Sequence, residues 1–370
     1  MSQAPRIRYA ADIWKLPRVA VETAAGTAGA DFSAGGWRPA AMQLQQDSSI
    51  HRLAGHTMGT AWSLRLPNPG YLPLDGVQAL VQAVLDEVIA QMSNWEPDSL
   101  ITRYNRAAAG TYLDLPPEFT QVLQAALDWA RKSGAALDPT MGALVSLWGF
   151  GPAAQAEQRP AAIKPQAAAV AAAMAQAGHA RLNWLPGQAL LQPGGVELDF
   201  CGIAKGFAVD WVAQRLQQAG WASGLFEIGG ELRGWGSKPD GTPWQVQIGG
   251  QATRGYAPLV VGLRTGALAT SGDYWHHFQA DGRRYSHTLD PRTGYPVAHD
   301  LASVTVFHSE CMHADALATV LTVLGPEEGL AFAEQHAIAA VLHAHAAPKR
   351  NAGAAAGPLI SSAWRACFGS

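Results

Sequence analysis

The order of short strand-like and helix-like segments is the feature that most constrains the fold of this chain. Segments of five or six residues with strand-like character recur after residue 195, and helical periodicities lie between them at irregular intervals. A doubly wound sheet would require strands and helices to alternate regularly. The sequence therefore predicts an α+β fold with mixed or antiparallel sheets and packed helices. The predicted strands cover residues 60–66, 196–200, 224–228, 244–248, 259–264, 303–307 and 339–344.

Apolar side chains at helical spacing predict where the helices lie. One apolar face is formed by Val77, Leu80, Val81, Val84 and Val88. The polar segment that follows, residues 93–105, is predicted to be a loop or turn. Further helices are predicted over residues 117–132, 165–177, 205–218 and 313–321, several of them bounded by proline or glycine.

Length and composition describe a globular chain with two less ordered ends. The chain has 370 residues, of which 48% are hydrophobic and 15% charged, so it can bury a substantial core. Residues 1–50 are rich in Ala, Gly, Pro and Gln without a sustained period, which predicts a poorly structured extension. We expect one folded domain over residues 51–345 and a tail over residues 346–370.

Charge and hydropathy exclude several classes of protein. The net charge is −3, so no broad basic surface is available for nucleic acid. The sequence contains no run of 18 consecutive apolar residues, so no membrane-spanning helix is expected. The N-terminus shows neither a signal-peptide core nor a lipobox cysteine, which predicts a cytoplasmic protein as written. A different start codon would leave export to the periplasm open.

The segment ADALAT carries a candidate metal half-site. Asp315 and Thr319 are four residues apart, so on a helix they share one face. A carboxylate and a hydroxyl in this arrangement are oxygen ligands of the kind that Mg²⁺ binds, together with substrate phosphates. The spacing alone is equally compatible with an Asp near a helix N-terminus and a Thr that faces the core.

The segment LDFCGIAKGFAVD predicts a strand, a glycine-punctuated turn and a helix. Such a turn exposes main-chain groups at a helix N-terminus, where anions bind. Lys205 lies in the first helical turn, where a cation is unfavourable unless an anion lies nearby. The alternative is a tight turn with a solvated lysine, and no P-loop pattern is present.

Two further segments carry polar or aromatic groups. In SHTLDPRTGYP, His287 precedes Asp290 by three residues, an arrangement that suits a base and its orienting partner but also an ordinary Asp-Pro turn. The segment ALATSG predicts a polar turn after a strand. The glycines and aromatic side chains of LDPTMGALVSLWGFGP suit a wall for a flat ring, and they suit a plain core as well.

Taken together and in order, these segments resemble the FAD:protein FMN transferases, the ApbE-like family. The motifs that carry the resemblance are HTMGTAW, MSNWEPDSLITRYN, LDPTMGALVSLWGFGP, LDFCGIAKGFAVD, FEIGGELRGWG, ATSGDYW, YSHTLDPRTGYPV, SVTV and ADALATVLTVLG. They cover residues 51–345. One departure lies at Phe200-Cys201, where the family usually has Leu-Gly or Leu-Ser.

The resemblance implies an α+β fold related to the tunnelling folds, with FAD bound in a cleft. It also implies that Asp315, Thr319 and the main-chain carbonyl of Gly202 bind Mg²⁺. The residues similar to the family's FAD contacts are Met58, Leu137, Asp138, Pro139, Asp199, Lys205 and Leu289. Asp199 resembles the position at the adenine end, and Lys205 would face the pyrophosphate.

The implied reaction is the Mg²⁺-dependent transfer of FMN from FAD to a Thr or Ser hydroxyl of an acceptor flavoprotein subunit, with release of AMP. His287, with Asp290 nearby, resembles the family's candidate base. Two alternatives stay open from the sequence. One is a Mg²⁺-dependent FAD pyrophosphatase, in which water replaces the acceptor hydroxyl. The other is a flavin-binding protein without catalysis, which the Asp315–Thr319 pair disfavours.

Overall fold

A computed structural model describes residues 20–22, 49–152, 164–182, 184–249, 259–272, 277–280, 283–345 and 357–369. The strands are β1 Ala20–Glu22, β2 Ile50–Thr57, β3 Thr60–Pro67, β4 Tyr112–Leu113, β5 Leu190–Leu191, β6 Gly224–Ile228, β7 Glu231–Trp235, β8 Trp244–Ile248, β9 Leu259–Leu263, β10 Thr265–Gly272, β11 His277–Ala280, β12 Arg283–Ser286, β13 Leu289–Asp290, β14 Tyr295–Pro296, β15 Leu301–His308, β16 Ala339–Ala344 and β17 Leu359–Ile360. The α-helices are α1 Asp75–Met92, α2 Leu100–Arg106, α3 Pro117–Lys132, α4 Gly142–Trp148, α5 Ala167–Gln176, α6 Ala204–Gln218, α7 Cys311–Gln335 and α8 Ser362–Phe368.

An eight-stranded antiparallel sheet forms the centre of the fold. Its order is β17-β16-β15-β10-β7-β6-β3-β2, and every neighbouring pair runs antiparallel. Alternate side chains of β3, namely Trp62, Leu64 and Leu66, are buried, as a strand with one face on a core requires. The predicted α+β class with antiparallel sheets is confirmed.

Helices α1, α6 and α7 cover one face of this sheet. Val77, Val81, Val84 and Val88 of α1 are buried, so the predicted apolar face is confirmed. Helix α7 is the one described helix that is long and apolar enough to cross a membrane. More than half of its most apolar stretch is buried against the sheet and α6, as in a core helix.

The other face is covered by the three-stranded sheet β1-β9-β8 and by α8. Trp244 and Val261 of the small sheet share a core with Phe307 of the large one. Trp364 and Phe368 of α8 are buried in the same core. Residues 357–369 of the predicted tail therefore pack on the domain. Most of the predicted extension and residues 346–356 lie outside the described residues.

Three local predictions from the sequence were wrong. Residues 196–200 do not form a strand, because their β-type pairing is limited to one isolated parallel bridge between Met141 and Glu197. The predicted loop at 93–105 ends in helix α2, which Ser99 caps by accepting a hydrogen bond from Thr102 N at 3.2 Å. The predicted turn of ALATSG is the end of strand β10, paired with β15 through Gly272.

Candidate active site

The structure brings the three predicted metal ligands together. Helix α7 places Asp315 and Thr319 on one face, toward the turn that precedes α6. Gly202 lies in that turn, and a Cβ added to it would lie 2.9 Å from Thr319 Oγ1. A Cβ on Gly206 would lie 2.4 Å from the carbonyl oxygen of Cys311 and 2.8 Å from Asp315 Cβ. The two glycines thus allow the turn and α6 to approach α7 closely.

Asp315 is buried where α7 contacts the start of α6, and a main-chain amide of α6 binds its carboxylate. The residue is buried, and its Oδ2 accepts a hydrogen bond from Gly206 N at 3.0 Å. Burial raises the pKa of Asp315, against the opposing effects of Lys205 and the Gly206 amide. Ser271 adds a further hydroxyl, because its Oγ lies 3.4 Å from Thr319 Oγ1. The sequence did not indicate this role for Ser271, since its segment was interpreted as a turn.

A buried ion pair lies beside the Asp315 site. Lys205 Nζ lies 2.5 Å from Glu231 Oε2, and the Glu231 side chain is only 3% exposed. Burial raises the pKa of Glu231, while Lys205 opposes this shift. Burial also disfavours the charged Lys205, but Glu231 and Asp315 outweigh it, so the pKa of Lys205 is raised. Glu231 was missed from the sequence, although a charged residue in an apolar strand after two glycines was a usable signal.

The charges of this cluster fit a cation. Two buried carboxylates, Asp315 and Glu231, face one ammonium group, so the cluster has an excess negative charge when all three are ionised. The donors nearest the predicted metal position are a carboxylate, a hydroxyl and a main-chain carbonyl, which suit Mg²⁺. The described residues hold no group of three or more His, Cys, Asp or Glu placed to bind a metal. Further ligands would therefore be water or substrate phosphates.

The LDP segment and the segment before the α6 turn run side by side. Asp199 N donates to the Pro139 carbonyl at 2.8 Å, and Gly142 N donates to the Glu197 carbonyl at 2.9 Å. Asp199 Oδ2 accepts from Asn94 Nδ2 at 3.1 Å, and Asp199 Oδ1 accepts from Cys201 N at 2.8 Å. These bonds fix the Asp199 carboxylate, and Cys201 is accommodated by a main-chain bond that any residue can make.

Asp138 has its carboxylate occupied by protein groups. One oxygen accepts from the amide and hydroxyl of Thr140, at 2.9 and 2.6 Å. The other lies 2.8 Å from His179 N and 3.0 Å from His179 Nδ1. Within the described residues Asp138 therefore holds the LDP segment in shape, while Leu137 is buried in the main core.

Met58 lies at the tip of the β2–β3 hairpin. Met58 and Gly59 have φ values of 48° and 72°, as a two-residue hairpin turn requires. The hairpin contacts the β6–β7 turn, because Gly229 N donates to the Ala61 carbonyl at 3.2 Å. Met58 is thereby placed near the strand that begins with Glu231.

His287 and Asp290, the candidate base and its neighbour, each have a described contact. The Asp290 carboxylate accepts three hydrogen bonds from Arg292, each 2.9 Å long. The His287 ring instead lies edge-on to Phe150, with centroids 6.3 Å apart. Leu289 is buried among Met141, Leu144 and Trp148 in a separate apolar cluster.

A cavity of about 260 Å³ lies beside the candidate metal-binding face. Its lining includes Ser271, which contacts Thr319, and Ser286, which directly precedes His287 in sequence. The cavity therefore borders the candidate site at Ser271.

Comparisons with known proteins identify the family of this chain. Residues 58–342 match the ApbE family. The chain is 35% identical over 305 residues to the FAD:protein FMN transferase of Haemophilus influenzae, covering 80% of this chain and 87% of that protein. It is 37% identical over 289 residues to the FAD:protein FMN transferase of Vibrio cholerae, covering 77% and 85%.

Solved structures show the same similarity. The apo form of the Pseudomonas stutzeri flavinyl transferase ApbE superimposes with a TM-score of 0.75 at 37% identity, covering 87% of this chain and 97% of that one. The flavin transferase ApbE from Vibrio cholerae gives a TM-score of 0.75 at 34% identity, covering 85% and 99%. From its sequence, its fold and the matched residues, this chain belongs to the ApbE family.

Proposed function

We propose that this protein is a Mg²⁺-dependent transferase that moves the FMN half of FAD onto a Thr or Ser hydroxyl of an acceptor flavoprotein. The observation that carries the proposal is the meeting of Gly202, Asp315 and Thr319 beside the buried Lys205–Glu231 pair. The names of the similar proteins support the same activity. Asp315 and Thr319 are more than 100 residues from Gly202 in sequence, so the fold itself assembles this set.

The proposed step exchanges one phosphorus–oxygen bond for another. The acceptor hydroxyl oxygen forms a bond to the phosphorus of the FMN half of FAD. The bond from that phosphorus to the bridging oxygen breaks, and AMP leaves with the bridging oxygen. The proton of the hydroxyl passes to a base, for which His287 is the candidate because histidine titrates near neutral pH. The products are a phosphoester-linked FMN and AMP.

The protein's own groups have separate tasks in this scheme. Lys205 offers a positive charge to the pyrophosphate, and Glu231 holds the lysine in place. Asp199, fixed by Asn94 and Cys201, is proposed to bind the adenine end. Met58, the Leu137–Pro139 segment and Leu289 are proposed to contact the rest of FAD.

Gly202, Asp315 and Thr319 would hold Mg²⁺, and Ser271 lies close enough to Thr319 to orient its hydroxyl. Bound there, the metal ion would offset the charge of the pyrophosphate and of the leaving AMP. Burial raises the pKa of both Asp315 and Glu231, and a divalent cation here would favour their ionised forms, which supports a cation at this place.

The experiment is incubation of the protein with FAD, Mg²⁺ and purified flavoprotein subunits, followed by intact-mass analysis and AMP measurement. We expect an added mass of FMN less water on one subunit, with AMP formed in equal amount. Asp315→Asn is the matched control, since it keeps the shape of the side chain but removes its charge. AMP together with free FMN and no labelled subunit would establish the pyrophosphatase instead. If the protein binds FAD but no AMP forms, the protein is a flavin-binding protein without this catalytic activity.

A further inference from the structure

We propose that the cavity between Ser271 and Ser286 binds the polypeptide segment that carries the acceptor hydroxyl. The inference rests on the proposed transferase function and assigns a place to its second substrate. The floor of the cavity is buried and bears hydroxyl groups, since Ser286, Ser303 and Thr322 are each 6% exposed. Its rim includes the exposed residues Ala298 and Asp300.

The cavity lies beside residues of the candidate site. Its lining includes Ser271, whose Oγ lies 3.4 Å from Thr319 Oγ1 on the candidate metal-binding face. It also includes Ser286, one residue before His287 in sequence. A segment bound in the cavity would therefore lie next to the candidate metal-binding face.

The described part of the lining offers little to FAD. Among its described residues there is no Lys or Arg to hold phosphates, and no Phe, Tyr or Trp on which a flavin ring would stack. The volume of 260 Å³ is also below the range of about 300–1,000 Å³ that is usual for sites of drug-sized ligands. A whole dinucleotide does not fit, whereas a few residues of an extended chain do.

The lining instead suits a peptide with small polar side chains. Serine and threonine hydroxyls both donate and accept hydrogen bonds, so they match the amide and carbonyl groups of a main chain. His299 is fixed as part of the wall, because its Nε2 lies 2.5 Å from the Thr322 carbonyl and its Nδ1 accepts from Leu301 N at 3.3 Å. The wall is therefore formed before the peptide binds, which lowers the entropy cost of binding.

The first test narrows the mouth of the cavity without touching the core. Ala298→Trp adds a large side chain at an exposed position on the rim, and Ala83→Trp on the exposed face of α1 is the matched control. The probe is a short synthetic peptide centred on the residue that the wild-type protein modifies in the assay above. For Ala298→Trp we expect the KM for the peptide to rise by about tenfold or more, a loss of about 1.4 kcal/mol, while the Kd for FAD is unchanged.

A second measurement covers the case in which the tryptophan turns outward. Benzoylphenylalanine is placed at position 298, and at position 83 as the control, and the peptide is photo-crosslinked. We expect a crosslink near the modified residue from position 298 only. An unchanged KM in Ala298→Trp together with no crosslink from position 298 overturns the cavity assignment, as does a raised Kd for FAD. If the wild-type protein attaches FMN to no acceptor, the proposed function falls, and this inference falls with it.

Discussion

Lys205 Nζ lies 2.5 Å from Glu231 Oε2 and joins the first turn of α6 to the start of β7. The lysine side chain is 30% exposed and the glutamate side chain 3%, so a partly exposed lysine is held by a buried partner. The pair gives the site a positive charge whose position is set by the sheet.

Lys205→Met should destabilise the protein, because removal of one partner of a buried ion pair typically costs about 3–5 kcal/mol. Burial raises the pKa of Glu231 to about 8, so in the folded state the carboxyl holds a proton at pH values where the unfolded chain has lost it. Stability must therefore fall as the pH rises from the ordinary glutamate range through that value. Lys205 opposes this rise in pKa, so without the lysine the pKa of Glu231 rises further. We therefore expect the extra loss in Lys205→Met to be small up to about pH 8 and to grow above it, by urea unfolding.

The control for that variant is Lys205→Met combined with Glu231→Gln. The double variant should recover most of the stability, since no buried charge is left, but not the affinity for FAD. If it remains as unstable as the single variant well above pH 8, the buried Glu231 charge is not the cause.

Asp315→Ala should reduce the Mg²⁺-dependent rate of FMN attachment by about 10³-fold or more, since a metal ion at a phosphoryl centre supplies several kcal/mol. Thr319→Val should be milder, because water replaces a neutral hydroxyl ligand. Initial rates over a range of Mg²⁺ concentrations separate weaker metal binding from slower chemistry. Full activity of Asp315→Ala at low Mg²⁺ would rule out the proposed metal site.

His287→Asn should keep the affinity for FAD and slow transfer by about 10²–10⁴-fold, the usual contribution of a general base. The defect should shrink as the pH rises, since hydroxide partly replaces the base. The measurement is the rate of FMN transfer at saturating FAD over a series of pH values. Asp290→Asn is the control, and it should have a smaller effect because the Asp290 carboxylate binds Arg292. Normal transfer by His287→Asn with weakened FAD binding would make His287 a binding residue.

Gly206→Ala should lower stability by about 1–3 kcal/mol, the usual cost of inserting a methyl group into a packed contact. The new Cβ would lie 2.4 Å from the Cys311 carbonyl oxygen and 2.8 Å from Asp315 Cβ, so α6 and α7 must separate. Along with a lower melting temperature, we expect weaker Mg²⁺ binding, so that a higher Mg²⁺ concentration is needed to reach half of the maximal rate. Gly76→Ala on α1 is the control, because an added Cβ there meets no atom within 4 Å. Equal effects of both substitutions would contradict a specific role for the α6–α7 contact.

Local periodicity was sufficient to predict most of the regular elements. Helix α3 has the predicted bounds Pro117–Lys132, and strands β6, β8 and β16 also agree with the sequence. The buried segment 196–200 was mistaken for a strand because its hydrogen bonds go to a side chain and to a loop. Leu198 N donates to Asn105 Oδ1, and Asp199 N donates to the Pro139 carbonyl. The apolar composition of the segment does not show whether its amides bond to a side chain and a loop or to a neighbouring β-strand.

The sequence predicted those residues of the candidate site that a helical spacing or a family motif indicates. Asp315 and Thr319 followed from a spacing of four residues, and the resemblance added Gly202. Glu231 and Ser271 could not be found in this way, because their importance arises from contacts with Lys205 and Thr319 that only the folded chain creates. The three hydrogen bonds from Arg292 to Asp290 could not be predicted either, because proximity in sequence does not show which neighbour a carboxylate binds.

The left-handed residue Gly325, with φ of 82° and followed by Pro326, divides α7 into two helical halves. In a continuous helix each inserted or deleted residue turns everything beyond it by about 100°. Because the backbone is not helical at Gly325, a rotation of the second half is not passed rigidly to the first half, which carries Asp315 and Thr319. A change in length after residue 325 should therefore leave the orientation of the candidate metal-binding face unchanged.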